Sequence, residues 1–142
     1  MGFLDLTSNK SMWKGYDYFK EGKVVSCEQT GTYNYKGTVK GSGEEVYDVT
    51  LDIDHPKRSV CNCPHADGKR RICKHKVAMY FSLFPEEAER IVREAEEWEA
   101  AEGEREQERY DEIKKYVYSL SKQDLRDELI YRMMNESNNT WY

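Results

Sequence analysis

Four side chains in one short stretch constrain this chain more than anything else in it. Residues 61–75, Cys-Asn-Cys-Pro-His-Ala-Asp-Gly-Lys-Arg-Arg-Ile-Cys-Lys-His, read as C-x-C, nine residues, then C-x-H. Three thiolates and one imidazole make a tetrahedral zinc set, with Zn–S near ~2.3 Å and Zn–N near ~2.0–2.1 Å. Residues two apart on an extended segment point to one side, which suits Cys61 and Cys63. Cys73 and His75 fall where a helix begins, and backbone that is not yet helical lets them converge. Pro64, Asp67 and Gly68 between the pairs are turn-formers that allow the chain to double back. Four protein ligands fill the coordination sphere and leave no position for water or substrate. One structural zinc ion, with ligands Cys61, Cys63, Cys73 and His75, is the expectation.

Other uses of these residues are less well supported. A disulfide would suit a secreted chain, but no secretory signal accompanies the cysteines, and C-x-C is an awkward pair to bridge locally. His65, two residues after Cys63, competes with His75 as a ligand; the spacing favours His75 and leaves His65 an exposed loop residue. His55, before Pro56, reads as a turn residue. Cys27 reads as a small buried hydrophobe rather than a reactive thiol.

A metal also answers a shortage. The 142 residues are 38% apolar and 35% charged, against about 45–50% and 25% in an ordinary domain. The core must be small, and in small fingers the metal supplies most of the folding free energy. The length suits one domain plus an appendage. No apolar run approaches the roughly 18 residues of a membrane span. The start, MGFLDLTSNK, lacks a signal peptide's basic-then-apolar pattern, and Leu6 stands where myristoylation wants Ser or Thr. A cytoplasmic protein with no membrane partner is expected.

The net charge of −5 conceals a division: residues 1–85 sum to +3 and residues 86–142 to −8. Seven of the basic side chains lie between Lys57 and Lys76, with Asp67 the one acid among them. The chain thus has a basic, cysteine-containing middle and an acidic tail.

Periodicity supplies the elements. Met12, Trp13, Tyr16 and Phe19 predict a helix over 8–20, capped by Ser8 or Thr7 and closed by Gly22. Its aromatic stripe is expected in the core rather than as a nucleic-acid platform. Alternation then predicts strands around Val25 and Cys27, from Tyr33 to Val39, and from Tyr47 to Ile53, with a possible fourth over 59–63. Gly41-Ser42-Gly43 is expected to turn the second into the third through positive φ. Val77, Ala78, Tyr80, Phe81 and Phe84 predict a helix after Cys73, and Pro85 opens another. Beyond it lie two thin stripes, Ile91/Ala95/Trp98 and Tyr110/Ile113/Val117/Leu120, and the pairs Glu86–Arg90, Glu89–Arg93 and Asp111–Lys115 are at helical spacing. Ser121 caps a last helix to about Met134, and 135–142 read as frayed. The expected class is α+β: a small antiparallel sheet with a ββα-like finger over 59–84 in a domain at 1–84, then a helical tail at 85–142.

The C-x-C…C-x-H order, with Pro64 after the second cysteine and Cys73-Lys74-His75 before an aliphatic-aromatic helix, resembles the SWIM-type zinc finger. The resemblance extends upstream through Gly15, Tyr16, Phe19, Gly22-Lys23-Val24 and the β-rich stretch to Ile53, covering about residues 10–84. More weakly, Ser119 to Leu125 is similar to a helical element that often follows such fingers. It implies the same four ligands and a zinc-dependent module for nucleic-acid binding or protein interaction. Such fingers often sit inside larger helicase, transposase or ubiquitin-ligase chains, and no enzymatic domain accompanies this one within the 142 residues.

Two functions follow as expectations. Lys69, Arg70, Arg71, Lys74 and Lys76, with Lys57 and Arg58 brought near by the fold, would contact phosphates of DNA or RNA. The competing use of the same charges is to neutralise the thiolates and the acidic tail. Alternatively the module is a protein-interaction adaptor that docks a protein partner through the tail, where residues 86–112 hold 13 acids and 4 bases, or the tail folds back over the basic patch. An enzyme is not expected, nor a small-molecule substrate: there is no phosphate loop and no Ser/His/Asp pattern.

Overall fold

The computed structural model describes residues 2–140. It has an α+β architecture with four helices and a four-stranded antiparallel sheet. The chain divides into two compact units, the first ending at Arg93 and the second beginning at Glu94.

In the first unit, helix α1 spans Asn9–Lys20, and the Ser8 side chain caps it by accepting from the Ser11 N–H at 3.2 Å. Gly22 ends it with φ 71°. Strands β1 (Val24–Gln29), β2 (Asn34–Lys40), β3 (Val46–Asp52) and β4 (Val60–Cys61) pair in sequence order as an antiparallel meander. Pairing aligns Gly37 with Val49, and Val49 with Cys61, so one row of the sheet ends on a zinc ligand. Val39, Val49 and Leu51 are buried, while Lys36, Asp48 and Thr50 form the expected polar face.

The turn at 41–45 closes with the Gly41 N–H on the Glu45 carbonyl at 2.8 Å. Its glycines do not take the positive φ expected of them; among the described residues, Gly22 and Gly68 do. Gly41 is needed for space instead, because a Cβ there would sit 2.8 Å from the Tyr47 ring.

Helix α2 (Lys74–Leu83) packs on α1 and on strands β1 to β3. Its residues 75–79 and Phe81 are all buried, as a helix covered on both sides requires. Trp13, Tyr16 and Phe19 pack against this core, with Tyr16 and Phe19 centred 6.3 and 6.1 Å from Phe81. The amino-terminal segment, for which the sequence suggested no element, forms a short 3-10 turn at Leu4–Leu6 and buries Phe3 in a 4.6 Å stack on Tyr80.

Helix α3 (Pro85–Ser119) begins at proline as expected, with Glu86 and Glu87 in its first turn. Ala88 and Ile91 are buried in the first unit's core, which is why that unit closes at Arg93 rather than at Phe84. Arg90 pairs with Glu87 at 2.6 Å, three residues away, where spacing had suggested Glu86.

The second unit holds the rest of α3 and helix α4 (Lys122–Thr140). The helix continues unbroken through Gly103, and Ser121 caps α4 by accepting from the Asp124 N–H at 3.1 Å. Helix α4 runs past the expected end at Met134; the carboxyl-terminal Trp141 and Tyr142, expected to fray, lie outside the described residues. Trp98, Tyr110, Ile113, Leu129, Ile130 and Met133 are all exposed. No helix among the described residues is long and apolar enough to cross a membrane.

Candidate metal centre

The ligand atoms of Cys61, Cys63, Cys73 and His75 all lie within 4.8 Å of one another, and all four residues are buried. Cys61 ends β4, fixed by its pairing with Val49, and Cys63 follows one residue later. Asn62 between them is tied to β3, its Oδ1 accepting from the Asp48 N–H at 2.9 Å. The chain then reverses: the Cys63 carbonyl accepts from the N–H groups of Ala66 and Asp67 at 3.1 and 2.9 Å, and Gly68 takes φ 68°. Cys73 is the N-cap residue of α2, extended at ψ 169°, and His75 lies in the first turn. The change of backbone at the cap lets a C-x-H pair converge.

The geometry suits zinc. Bond lengths of ~2.3 Å to sulfur and ~2.0–2.1 Å to nitrogen require tetrahedral S···N edges of ~3.5–3.6 Å and S···S edges of ~3.8 Å. His75 Nδ1 stands 3.8 Å from Cys61 Sγ and 3.9 Å from Cys73 Sγ. The thiols are already polarised. The hydrogen bond between Cys61 and Cys73 pushes the Cys61 thiol up and pulls Cys73 down to about 3, with His75 and the Lys76 N–H adding to that pull. Three buried sulfur ligands and an imidazole converging within 4.8 Å of one another make a cation site. The four residues thus make one structural zinc site.

Around the ligands the packing is aromatic. The His75 ring lies 4.7 Å from Tyr47 and 5.6 Å from Tyr18, centre to centre, and its Nε2 is buried with no hydrogen-bond partner among the described residues. Ring contacts rather than a carboxylate therefore set its orientation. Sequence reasoning had put Tyr18 and Tyr47 on a helix and a strand without connecting either to the metal.

The remaining candidates separate. His65 is exposed in the turn, and His55 is exposed with its N–H on Asp52 Oδ1 at 2.8 Å, as a turn residue should be. Cys27 is half-buried rather than fully buried, and burial, with Glu28 beside it, pushes its thiol up. Lys69, Arg70 and Arg71 are exposed on the zinc-pinned turn. Lys57 and Arg58, in the 3-10 turn Pro56–Arg58, line a hollow of about 510 Å³ with Arg70 and Asp54. Arg71 and Lys74 line a second hollow of about 250 Å³ with Lys10 and Lys14 of α1, two cations the sequence reading did not connect to the finger.

Lys76 does not join that surface. It is fully buried and its Nζ donates to the Arg71 carbonyl. Burial pushes its ammonium down, and the nearby cysteine thiolates push it back up. It holds the turn through that hydrogen bond, and it is withdrawn from the phosphate-contacting set because its side chain is buried.

Residues 47–84 match the SWIM zinc finger family model. The match starts in β3 and ends at the residue capping α2, so α1, β1 and β2 lie outside it. No curated protein and no solved structure matches the chain.

Proposed function

We propose that the chain is a zinc-stabilised module that binds nucleic acid, DNA or RNA, through the basic surface around its finger, and that it acts by binding rather than catalysis. The observation that carries this reading is the zinc-pinned turn, which exposes Lys69, Arg70 and Arg71 together, with Lys57 and Arg58 beside Arg70. A turn anchored at both ends by metal ligands presents its cations with little ordering cost on binding. Four protein ligands also leave the ion no open position, which favours a structural over a catalytic role. Thiolates kept reduced for zinc suit an intracellular compartment.

The test is binding of the zinc-loaded chain to a mixed-sequence oligonucleotide across a salt series. Five phosphate contacts give a slope of log K against log salt of about −3.5 to −4.5. An affinity flat across salt overturns the reading. A protein-interaction adaptor is the second reading, favoured by the exposed Trp98, Tyr110, Ile113 and Leu129. Co-purification from the native host with and without nuclease separates the two, since a protein partner held directly survives nuclease.

A further inference from the structure

We infer that the hollow between α1 and the start of α2 seats a single backbone phosphate of the bound nucleic acid. The inference rests on the function proposed above and assigns it a contact outside the finger. Lys10, Ser11 and Lys14 line the hollow from α1, and His65, Arg71 and Lys74 from the finger, with the zinc ligands Cys63, Cys73 and His75 completing it. Four cations therefore surround one cavity, and among the described residues no carboxylate lines it. The other basic hollow, beside Lys57 and Arg58, includes Asp54, 3.3 Å from His55 Nδ1.

Neutralising the metal does not account for those cations. Zinc with three thiolates and a neutral imidazole carries −1. Lys10, Lys14, Arg71 and Lys74 are in excess of what the centre requires. At about 250 Å³ the cavity, which also takes in the face of the zinc ligands, has room for a phosphate group.

The cradle is held in place by packing. A Cβ on Gly15 would lie 2.4 Å from Val77 Cβ and 3.0 Å from the Lys74 carbonyl oxygen, so only glycine lets α1 approach α2 this closely. That approach brings Lys14 beside the start of α2. The Lys74 ammonium lies 4.9 Å from the centre of the Tyr18 ring, itself in contact with His75. Arg71 belongs both to the exposed turn and to the hollow. One strand can therefore run from the turn into the cradle, which a free phosphate or an isolated lipid headgroup would not exploit.

The experiment compares full-length, zinc-loaded wild type with K10A/K14A and with K69A/R70A, using a fluorescent 20-nucleotide mixed-sequence DNA and its RNA counterpart over a salt series. Lys10 and Lys14 are exposed, so the first variant folds and keeps its zinc. It should lower affinity about tenfold and make the salt slope shallower by up to about one, the share of one phosphate, while K10R/K14R keeps wild-type binding. If wild type and K69A/R70A differ as expected but K10A/K14A matches wild type in affinity and slope, the cradle is overturned and the proposed function stands. If wild type binds neither oligonucleotide, both fall. Loss of binding to phosphatidylserine vesicles in K10A/K14A, with nucleic-acid binding unmoved, also overturns the assignment.

Discussion

The two units of this chain use the same residue alphabet to opposite ends. Residues 1–93 carry 15 basic and 13 acidic side chains, and residues 94–142 carry 7 and 14. The first unit buries a contiguous core from Phe3 to Ile91 and a zinc site within it. The second leaves its large apolar side chains, Trp98 and Tyr110 through Met134, in solvent. Its helices rest on backbone hydrogen bonds, a cap at Ser121 and surface pairs such as Arg132–Glu128 at 3.6 Å, each pair contributing about 0.3 kcal/mol. Cooperative stability follows burial and metal ligation, whereas the second unit rests on local helix propensity, capping and surface pairs.

Removing the metal should break the comparison most sharply. Structural zinc contributes about 10–16 kcal/mol of apparent binding free energy, as much as the whole stability of an ordinary domain at about 5–15 kcal/mol. Cys61→Ser, His75→Ala or a chelator should therefore unfold residues 1–93. Metal analysis should find one zinc per wild-type chain and none in the variants. Near-UV circular dichroism, which reports the packed aromatics of the first unit, should collapse. Acid should act in the same direction, because the ligands bind zinc only when deprotonated and protonation releases the ion. A first unit that keeps its near-UV signal without zinc would erase the distinction drawn here.

Next in size is the core itself. Phe81 is fully buried and meets Tyr16, Phe19 and Tyr80 at ring distances of 6.0 to 6.3 Å. Phe81→Ala should cost about 3–5 kcal/mol in urea unfolding of the zinc-loaded chain. Gly15→Ala should cost about 1–3 kcal/mol by overpacking against Val77. A double-mutant cycle with Val77→Ala should recover only the part due to Val77 Cγ1, because Val77 Cβ at 2.4 Å and the Lys74 carbonyl oxygen at 3.0 Å still meet the new Cβ. A Gly15→Ala chain as stable as wild type would mean that α1 and α2 do not meet there.

The metal site was legible in the sequence because its information is local: ligand type, spacing, and turn-formers between two pairs. The strands were legible too, since Val49 and Leu51 alternate with Asp48, Thr50 and Asp52. What escaped depends on which elements touch. Nothing in Lys10 or Lys14 says that α1 lies along the start of α2, and nothing in Tyr18 or Tyr47 says that both reach His75. Lys76 misled because composition counts charges without burial, and its neighbours Lys74 and Arg71 are solvent-accessible. The glycines were found by type but misjudged by reason: Gly41 is there for the Tyr47 ring, not for its φ. In the tail, the stripe Ile91/Ala95/Trp98 read as continuous, yet Ile91 is buried in the first unit's core and Trp98 is exposed.

The smallest effect is expected where the second unit is tested on its own terms. Gly103 lies inside α3, and a Cβ there would meet nothing within 4 Å. Glycine in an exposed helix interior costs about 0.8–1.0 kcal/mol relative to alanine, through the backbone freedom it loses on folding. Gly103→Ala should therefore slow amide hydrogen exchange around residues 99–109 about fourfold or more, following that free-energy difference. Because the core that holds the zinc site is built within the first unit, the urea midpoint of that unit should not move. A shifted midpoint would mean that the two regions unfold as one cooperative body. Protection that rises in the second unit alone would instead show a helix limited by its own propensity, awaiting a surface to cover Trp98 and the apolar side chains beyond it.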